Sequence, residues 1–347
     1  MIRVIYASPT NTDTPSFYRG WGPLCQLLKT MPEMALGKTN QFDWATIRQA
    51  DVFCFTRNYT EGCVRAVEMC RAQGKFVWVD YDDSFLHVPE SNPNYESLKD
   101  SRENVIEIAK LANVITVSTQ ALREDFSFVR HKVFVVPNAY DNDFLGDMTI
   151  DPTKRDKVVI WRGSATHDED LAPITSELVN YINSEAFVGW KIYFMGHNPA
   201  YITSQIKDTQ RVQVVPPKDI VQYFANIKAL NPAMFIVPLK DTAFNRCKSN
   251  IAWIEATYAG AMTIASNLPE FRRPGVLIAE EAHFVNTLAW NVKRANDNDT
   301  HVAEHWKFSR DAIYGENKLL LTEVNNARKQ IILNGAKISR GEMGRLS

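Results

Sequence analysis

The chain has 347 residues, 45% of them hydrophobic and 23% charged, with a formal net charge of −1. This balance excludes a disordered chain and suggests about two globular domains. The near-zero charge excludes a global electrostatic attraction to nucleic acid or acidic membranes, though a local basic patch remains compatible with it. Five cysteines, at positions 25, 54, 63, 70 and 247, form no CxxC pair and have no histidine at zinc-finger spacing. They read as free thiols of a reducing compartment. The opening MIRVIYASPTNTD holds too short an apolar run for a signal peptide, and no stretch of about 18 apolar residues is present, so a cytoplasmic protein without a membrane span is expected.

Short β-branched runs then alternate with helical stretches. Strands are predicted at 3–7, 52–56, 76–80, 114–118 and 133–136, with helices near 23–30, 61–73, 101–111 and 121–126 between them. The polar segment NAYDNDFLGDMTIDPTKRD interrupts this pattern, which then restarts. Strands follow at 158–161, 191–195, 212–215, 234–238 and 262–265, with helices at 171–184, 220–230, 251–259 and 284–295. Strand–helix alternation implies parallel sheets covered on both faces. The expected fold class is therefore α/β, with two Rossmann-like doubly wound domains facing a cleft. The division is 1–148, 149–317, and a terminal helix with a mobile tail over 318–347. The segment Asp141 to Asp156 is expected to act as a hinge. The terminal helix, predicted over 318–333, carries an apolar stripe of Leu319, Leu320, Val324, Ala327 and Ile331 that requires the first domain to cover it.

Ligands of doubly wound sheets bind outside the carboxyl ends of the strands, so the loops there hold the candidate chemistry. In the first half, Arg19 in SFYRGWGP and Arg57 after the second predicted strand are placed on this rim. The strand FVWVD runs into Asp80, Tyr81, Asp82 and Asp83. Carboxylates so grouped suit Mg²⁺ or Mn²⁺, or the orientation of a nucleophile, and equally the capping of backbone N–H groups.

In the second half, WRGSATHDEDL places Arg162, Gly163 and Ser164 at a turn into a helix, with His167 beside them. Small residues let the backbone approach an anion, the helix entrance offers free N–H groups, and the arginine adds charge, which suits a diphosphate. An ordinary turn capped by Asp168 is the alternative. The entrance DTAFNRCKSN brings Arg246, Lys248, Ser249 and Asn250 to the same rim. Within KSNIAWIEATYAG, Glu255 is mid-helix among apolar residues and has no partner charge in its own turns. A buried carboxylate needs donors or a cation, supplied by ligand hydroxyls or by a lysine or arginine elsewhere in the core. No Walker or GxGxxG fingerprint is present, which argues against a P-loop or a simple dinucleotide site.

These pieces resemble nucleotide-sugar glycosyltransferases of the GT-B type, in particular a retaining, family-4-like group found in bacterial and phage genomes. The resemblance rests on VSTQALREDF, VFVVPNAYD, RGSATHDEDL, FIVPLKDTAFNRCKSNIAWIEATYAGAMTIAS, SFYRGWGPL and VDYDDSFLHVPESNPNY. It implies a sugar moved from a nucleotide-sugar, with retention, to an acceptor hydroxyl on a glycan, a lipid-linked sugar or a hydroxylated base of phage DNA. It places Glu255 on the donor ribose, Ser249 and Asn250 at the diphosphate with Gly163, Ser164 and His167 nearby, and Arg162 and Lys248 as the neutralising cations. Asp82 or Asp83 contacts the acceptor hydroxyl or the sugar, and Arg19 and Arg57 lie on the acceptor side. The group often carries a second glutamate eight residues before the first, where this chain has Cys247. No cofactor is implied, and no metal is needed if Arg162 and Lys248 supply the charge. Two other readings stay open: a sugar-nucleotide-binding module without catalysis, and a metal-dependent GT-A-type transferase using Asp80 and Asp82. A basic C-terminal segment with Arg328, Lys329, Lys337, Arg340 and Arg345 is the feature that would touch DNA phosphate.

Overall fold

A computed structural model describes residues 1–7, 14–40, 42–139 and 154–342, with the backbone alone at 310 and 312–316. The first half contributes strands β1 (Ile2–Ala7), β2 (Met34–Thr39), β3 (Val52–Thr56), β4 (Phe76–Tyr81), β5 (Val114–Val117) and β6 (Val133–Val135). They form a parallel sheet in the order β2-β1-β3-β4-β5-β6. The second half contributes β7 (Asp156–Arg162), β8 (Lys191–Met195), β9 (Val212–Val215), β10 (Pro232–Val237), β11 (Met262–Ser266) and β12 (Val276–Ala279). Their order is β12-β11-β10-β7-β8-β9, again all parallel.

The sequence dictates this arrangement through strands that are apolar on both faces, as parallel sheets require. In β3 and β4 every residue is buried. Phe53, Phe55, Val77 and Val79 face one apolar layer, while Val52, Cys54, Phe76 and Trp78 face the other. That is the period-two alternation of a strand turned into two cores. The two separate six-stranded sheets overturn the single-domain GT-A alternative.

The C-terminal helix departs most from the sequence expectation. It runs unbroken over Thr300–Ser339, not 318–333. Val302 and Trp306 at its start are buried in the second-half core, and from residue 318 onward the buried stripe is Val324, Arg328, Ile332 and Ala336, with Ile332 and Ala336 in the first-half core, whereas Leu319 and Ala327 face solvent. The sequence expectation begins the mobile tail at the NG pair, 334–335. In the fold Gly335 lies against the Phe76 ring, and a Cβ there would stand 2.5 Å from Cδ1. The glycine thus permits close helix–sheet approach, and the expected tail is helical up to Ser339. Of the expected hinge, residues 141–153 lie outside the described chain, as does Arg345.

Each sheet has a switch point where the connections reverse direction, between β1 and β3 in the first and between β7 and β10 in the second. Their carboxyl ends face a shared cleft.

Candidate functional site

The cleft holds a cavity of about 580 Å³. Thr14, Arg57, Asp82, Asp83, Phe85 and Asn92 line it from the first half, and Arg162, Gly163, Ser164, His167, Lys248, Ser249 and Glu255 from the second. The turns after β7 and β8 add Gly163 and Gly196 to its wall. Gly196 has φ +94°, and a Cβ there would stand 2.6 Å from the Gly163 carbonyl oxygen. Only glycine allows these two turns to touch.

Glu255 lies on a helix, Ile251–Tyr258, that is buried on nearly all sides, and it is itself 1% exposed. Its Oε2 accepts hydrogen bonds from Arg162 Nε at 2.8 Å and from Tyr223 Oη at 2.7 Å. Its Oε1 accepts one from Tyr18 Oη of the first half at 3.2 Å. The carboxylate therefore finds its cation within the protein, the arginine alternative left open by the sequence. Burial first, and then the Glu255 charge, hold the Tyr18 and Tyr223 hydroxyls well above the usual tyrosine range. They stay protonated and donate. Arg162 makes this pair through Nε, and among the described residues no group accepts from its two terminal nitrogens. They remain available at the cavity wall.

Across the cleft, Arg57 reaches both Asp82 and Asp83, at 3.3 and 3.4 Å, from a backbone with φ +53°. That left-handed conformation costs a non-glycine residue of order 1 kcal/mol, and such strain gathers at functional sites. Lys248 Nζ approaches Asp83 Oδ1 at 3.6 Å, an ion pair between the halves. The two aspartates titrate apart. Burial raises Asp82 to about 6, with Arg57 opposing. Burial is also the largest influence on Asp83, but Lys248, Arg57 and His167 together overrule it and hold that carboxyl below its ordinary value. His167 donates from Nδ1 to Asp170 Oδ2 at 2.8 Å.

Other expected residues lie elsewhere. Arg19 is buried inside the first half, not on the rim, donating from Nε and Nη2 to Asp80 at 2.9 and 2.7 Å and also to the Val136 carbonyl. Asp80 further accepts from Thr116 Oγ1 at 2.5 Å, so it is saturated and joins no cluster with Asp82. Among the described residues no three His, Cys, Asp or Glu side chains are grouped to hold a metal ion. Arg246 pairs with Asp241 in solvent, and Asn250 is buried at the helix entrance behind the cavity wall. Ser249 accepts from Asn138 Nδ2 at 2.8 Å. Cys247 is packed into the first-half core, with its thiol pushed up to about 12 by burial and then by Asp125. In the basic segment Arg328 is buried, and Arg340 is paired with Asp51. Sequence reasoning missed Tyr18 and Tyr223. A tyrosine in an amphipathic helix gives no signal of the carboxylate it will meet.

No protein-family model matches the chain, and no curated protein matches it in sequence. Solved structures do match. One is a mutant of S. aureus TarM in complex with fondaparinux, alpha-GlcNAc-glycerol and UDP, at 17% identity over 81% of this chain and 55% of that one, with TM-score 0.56. Another is an α,α-trehalose 6-phosphate synthase from Burkholderia multivorans, at 11% identity over 96% and 98%, with TM-score 0.60. A third is a putative UDP-N-acetylglucosamine 2-epimerase from Listeria monocytogenes, at 13% identity over 100% and 98%, with TM-score 0.51. The chain spans about half the length of TarM. At these identities the likeness establishes architecture alone, and that architecture is GT-B: two Rossmann-type domains facing a cleft.

Proposed function

We propose that the chain is a glycosyltransferase that moves a sugar from a UDP-sugar, held mainly by the second half, to an acceptor hydroxyl held against the first. The observation that carries this reading is the convergence, at the switch point of the second sheet, of Arg162 with two unengaged nitrogens, Lys248, and the entrance of the Glu255 helix. Leaving-group departure breaks the bond from the anomeric carbon to the diphosphate oxygen, and the electron pair stays on that oxygen. Cations and helix N–H groups fixed beforehand stabilise this charge more in the transition state than in the ground state. Glu255 holds Arg162 in place through Oε2. Its Oε1 has one long tyrosine bond and capacity for a ribose hydroxyl.

Asp82, partly protonated near pH 6 and facing the cavity, is the group we place beside the acceptor hydroxyl. Retention of anomeric configuration is carried into the proposal by the resemblance to the retaining group, and the anomer of the product checks it. A glycan or lipid-linked acceptor is favoured over DNA, because Arg328 and Arg340 are engaged within the protein. Among the described residues no helix is long and apolar enough to cross a membrane.

A thermal-shift screen against UDP, GDP, ADP and CMP sugars tests the donor class, since a ligand of the folded state raises the melting temperature with its concentration. Glu255→Gln should weaken nucleotide binding by about 1.5–3 kcal/mol and lower stability as well, because it loosens the Arg162 pair. Unchanged nucleotide affinity in the folded variant sinks the assignment. The likeness to a putative UDP-N-acetylglucosamine 2-epimerase makes sugar-nucleotide isomerisation the competing reading. Conversion of UDP-N-acetylglucosamine to an isomer with no acceptor present would decide for it.

A further inference from the structure

His167 is a second-half residue of the cavity whose chemistry the proposed transfer leaves unused. Its ring is locked. Nδ1–H donates to Asp170 Oδ2 at 2.8 Å, and Asp170 is itself fixed, its Oδ1 accepting from Asn245 Nδ2 at 2.6 Å and from the Lys240 backbone N–H at 3.0 Å. With Nδ1 carrying the proton of the neutral ring, Nε2 presents a lone pair, and among the described residues it has no hydrogen-bond partner. The ring lies in the same cavity wall as Gly163, Ser164 and Arg162. A lone pair facing phosphate oxygens repels them, whereas a protonated Nε2 gives a charge-assisted hydrogen bond.

The groups around the ring come from four places. Asp170 is on its own helical turn, Arg162 ends β7, Lys248 precedes the Glu255 helix, and Asp83 reaches from the end of β4. The remaining charges nearby are engaged elsewhere: Asp168 with His197, and Glu169 with Lys240. In the free protein, burial and then Lys248 hold the imidazole below its ordinary range, against the pull of Asp170. A diphosphate reverses this balance, because it brings two negative charges into the cavity that His167 lines together with Lys248 and Arg162.

We infer that His167 is a ligand-gated cation of the diphosphate site, neutral in the free protein and protonated from solvent as a nucleoside diphosphate enters, when its Nε2–H donates to a phosphate oxygen. Binding is then linked to proton uptake. Affinity increases as pH falls through the interval between the free-state and bound-state pKa values, and is flat above it. The inference rests on the donor-site reading of the cleft.

The test is calorimetric titration of UDP into the full chain, in buffers of different ionisation enthalpy. Wild type, His167→Gln and His167→Lys are run together so that the ionisation of UDP's own terminal phosphate cancels. Within that pH interval, wild type should take up about half to one proton more than either variant, on the single-site limit of one proton. The ratio of the His167→Gln Kd to the wild-type Kd should grow about fivefold or more from pH 8 to pH 6. His167→Lys, a permanent cation, should bind UDP at pH 8 at least as tightly as wild type. Equal proton uptake in wild type and His167→Lys, with both binding UDP, overturns the inference and leaves the donor site standing. If no nucleoside diphosphate binds the folded wild type, the donor site itself falls and the inference with it. Should His167→Gln fail to fold, the lysine variant decides alone.

Discussion

Two arginine–carboxylate pairs, one in each half of the molecule, look alike in sequence and differ in what they leave undone. Arg19 and Asp80 meet through two parallel bonds, with side-chain exposures of 0% and 3%. Val136 and Thr116 take up much of the remaining bonding capacity, so the pair fastens the helix Thr14–Arg19 to β4 and to the chain beyond β6. Arg162 and Glu255 meet through one nitrogen, with exposures of 25% and 2%. The carboxylate is as deeply buried as Asp80, but the guanidinium opens on the cavity. A saturated pair holds structure, and a pair with spare donors at a cleft wall is available to a ligand.

Breaking the saturated pair should have the largest effect on folding. Arg19→Ala strands a carboxylate with side-chain exposure of 3%, and removing one partner of a buried pair costs about 3–5 kcal/mol. Urea unfolding should show a large fall in the midpoint that UDP rescues only by mass action. A shift under about 1 kcal/mol would mean that Asp80 finds other partners on relaxation. Arg162→Ala addresses the open pair: it also strands a buried carboxylate, but Tyr18 and Tyr223 still donate to Glu255, so stability should fall less than in Arg19→Ala while the chemistry suffers more. Turnover should drop on the order of 10²-fold, as when one fixed donor to a developing oxyanion is lost, with a smaller change in donor affinity. Full turnover in a folded Arg162→Ala protein would move the phosphate site elsewhere.

The contrast also marks the limit of what the sequence discloses. The strand-and-helix alternation and its restart are legible, because strands such as VFCFT and FVWVD are apolar on both faces and parallel sheets leave no other reading. The two strands that escape, Met34–Thr39 and Val276–Ala279, are sheet edges whose residues are mostly half-exposed: MALGKT turns to glycine and polar residues after three positions, and VLIA is an apolar run of only four. Arg162, Lys248 and Glu255 are legible as chemistry at strand and helix ends. Their pairing is not, since Arg162 and Glu255 stand 93 residues apart and Tyr18 lies 237 from Glu255. Arg19 shows the converse error. An arginine after a first strand looks like a rim residue until Asp80, 61 positions on, captures it. Arg328 reads in sequence as part of a basic segment open to phosphate, and it is a buried member of the terminal helix stripe.

The same contrast recurs at finer scale within one strand end, where Asp80 is saturated and Asp82, two residues on, faces the cavity with Arg57 at 3.3 Å. Burial lifts Asp82 to about 6 in the folded protein, whereas an unfolded aspartate titrates near 3.9, roughly. The folded state therefore binds this proton more tightly than the unfolded state. The group's contribution is most favourable below about pH 4, declines as pH rises toward 6, and is constant above that. Asparagine cannot ionise, so Asp82→Asn should be more stable than wild type by about 3 kcal/mol above pH 6, with the gap closing toward pH 4. Asp83 remains to engage Arg57 and Lys248 in that variant. Urea midpoints at several pH values between 4 and 8 measure the gap, and UDP affinity serves as the control that should not change. If the variant is instead less stable at neutral pH, Asp82 is a structural partner of Arg57 like Asp80 is of Arg19. Its place beside the acceptor hydroxyl would then be lost.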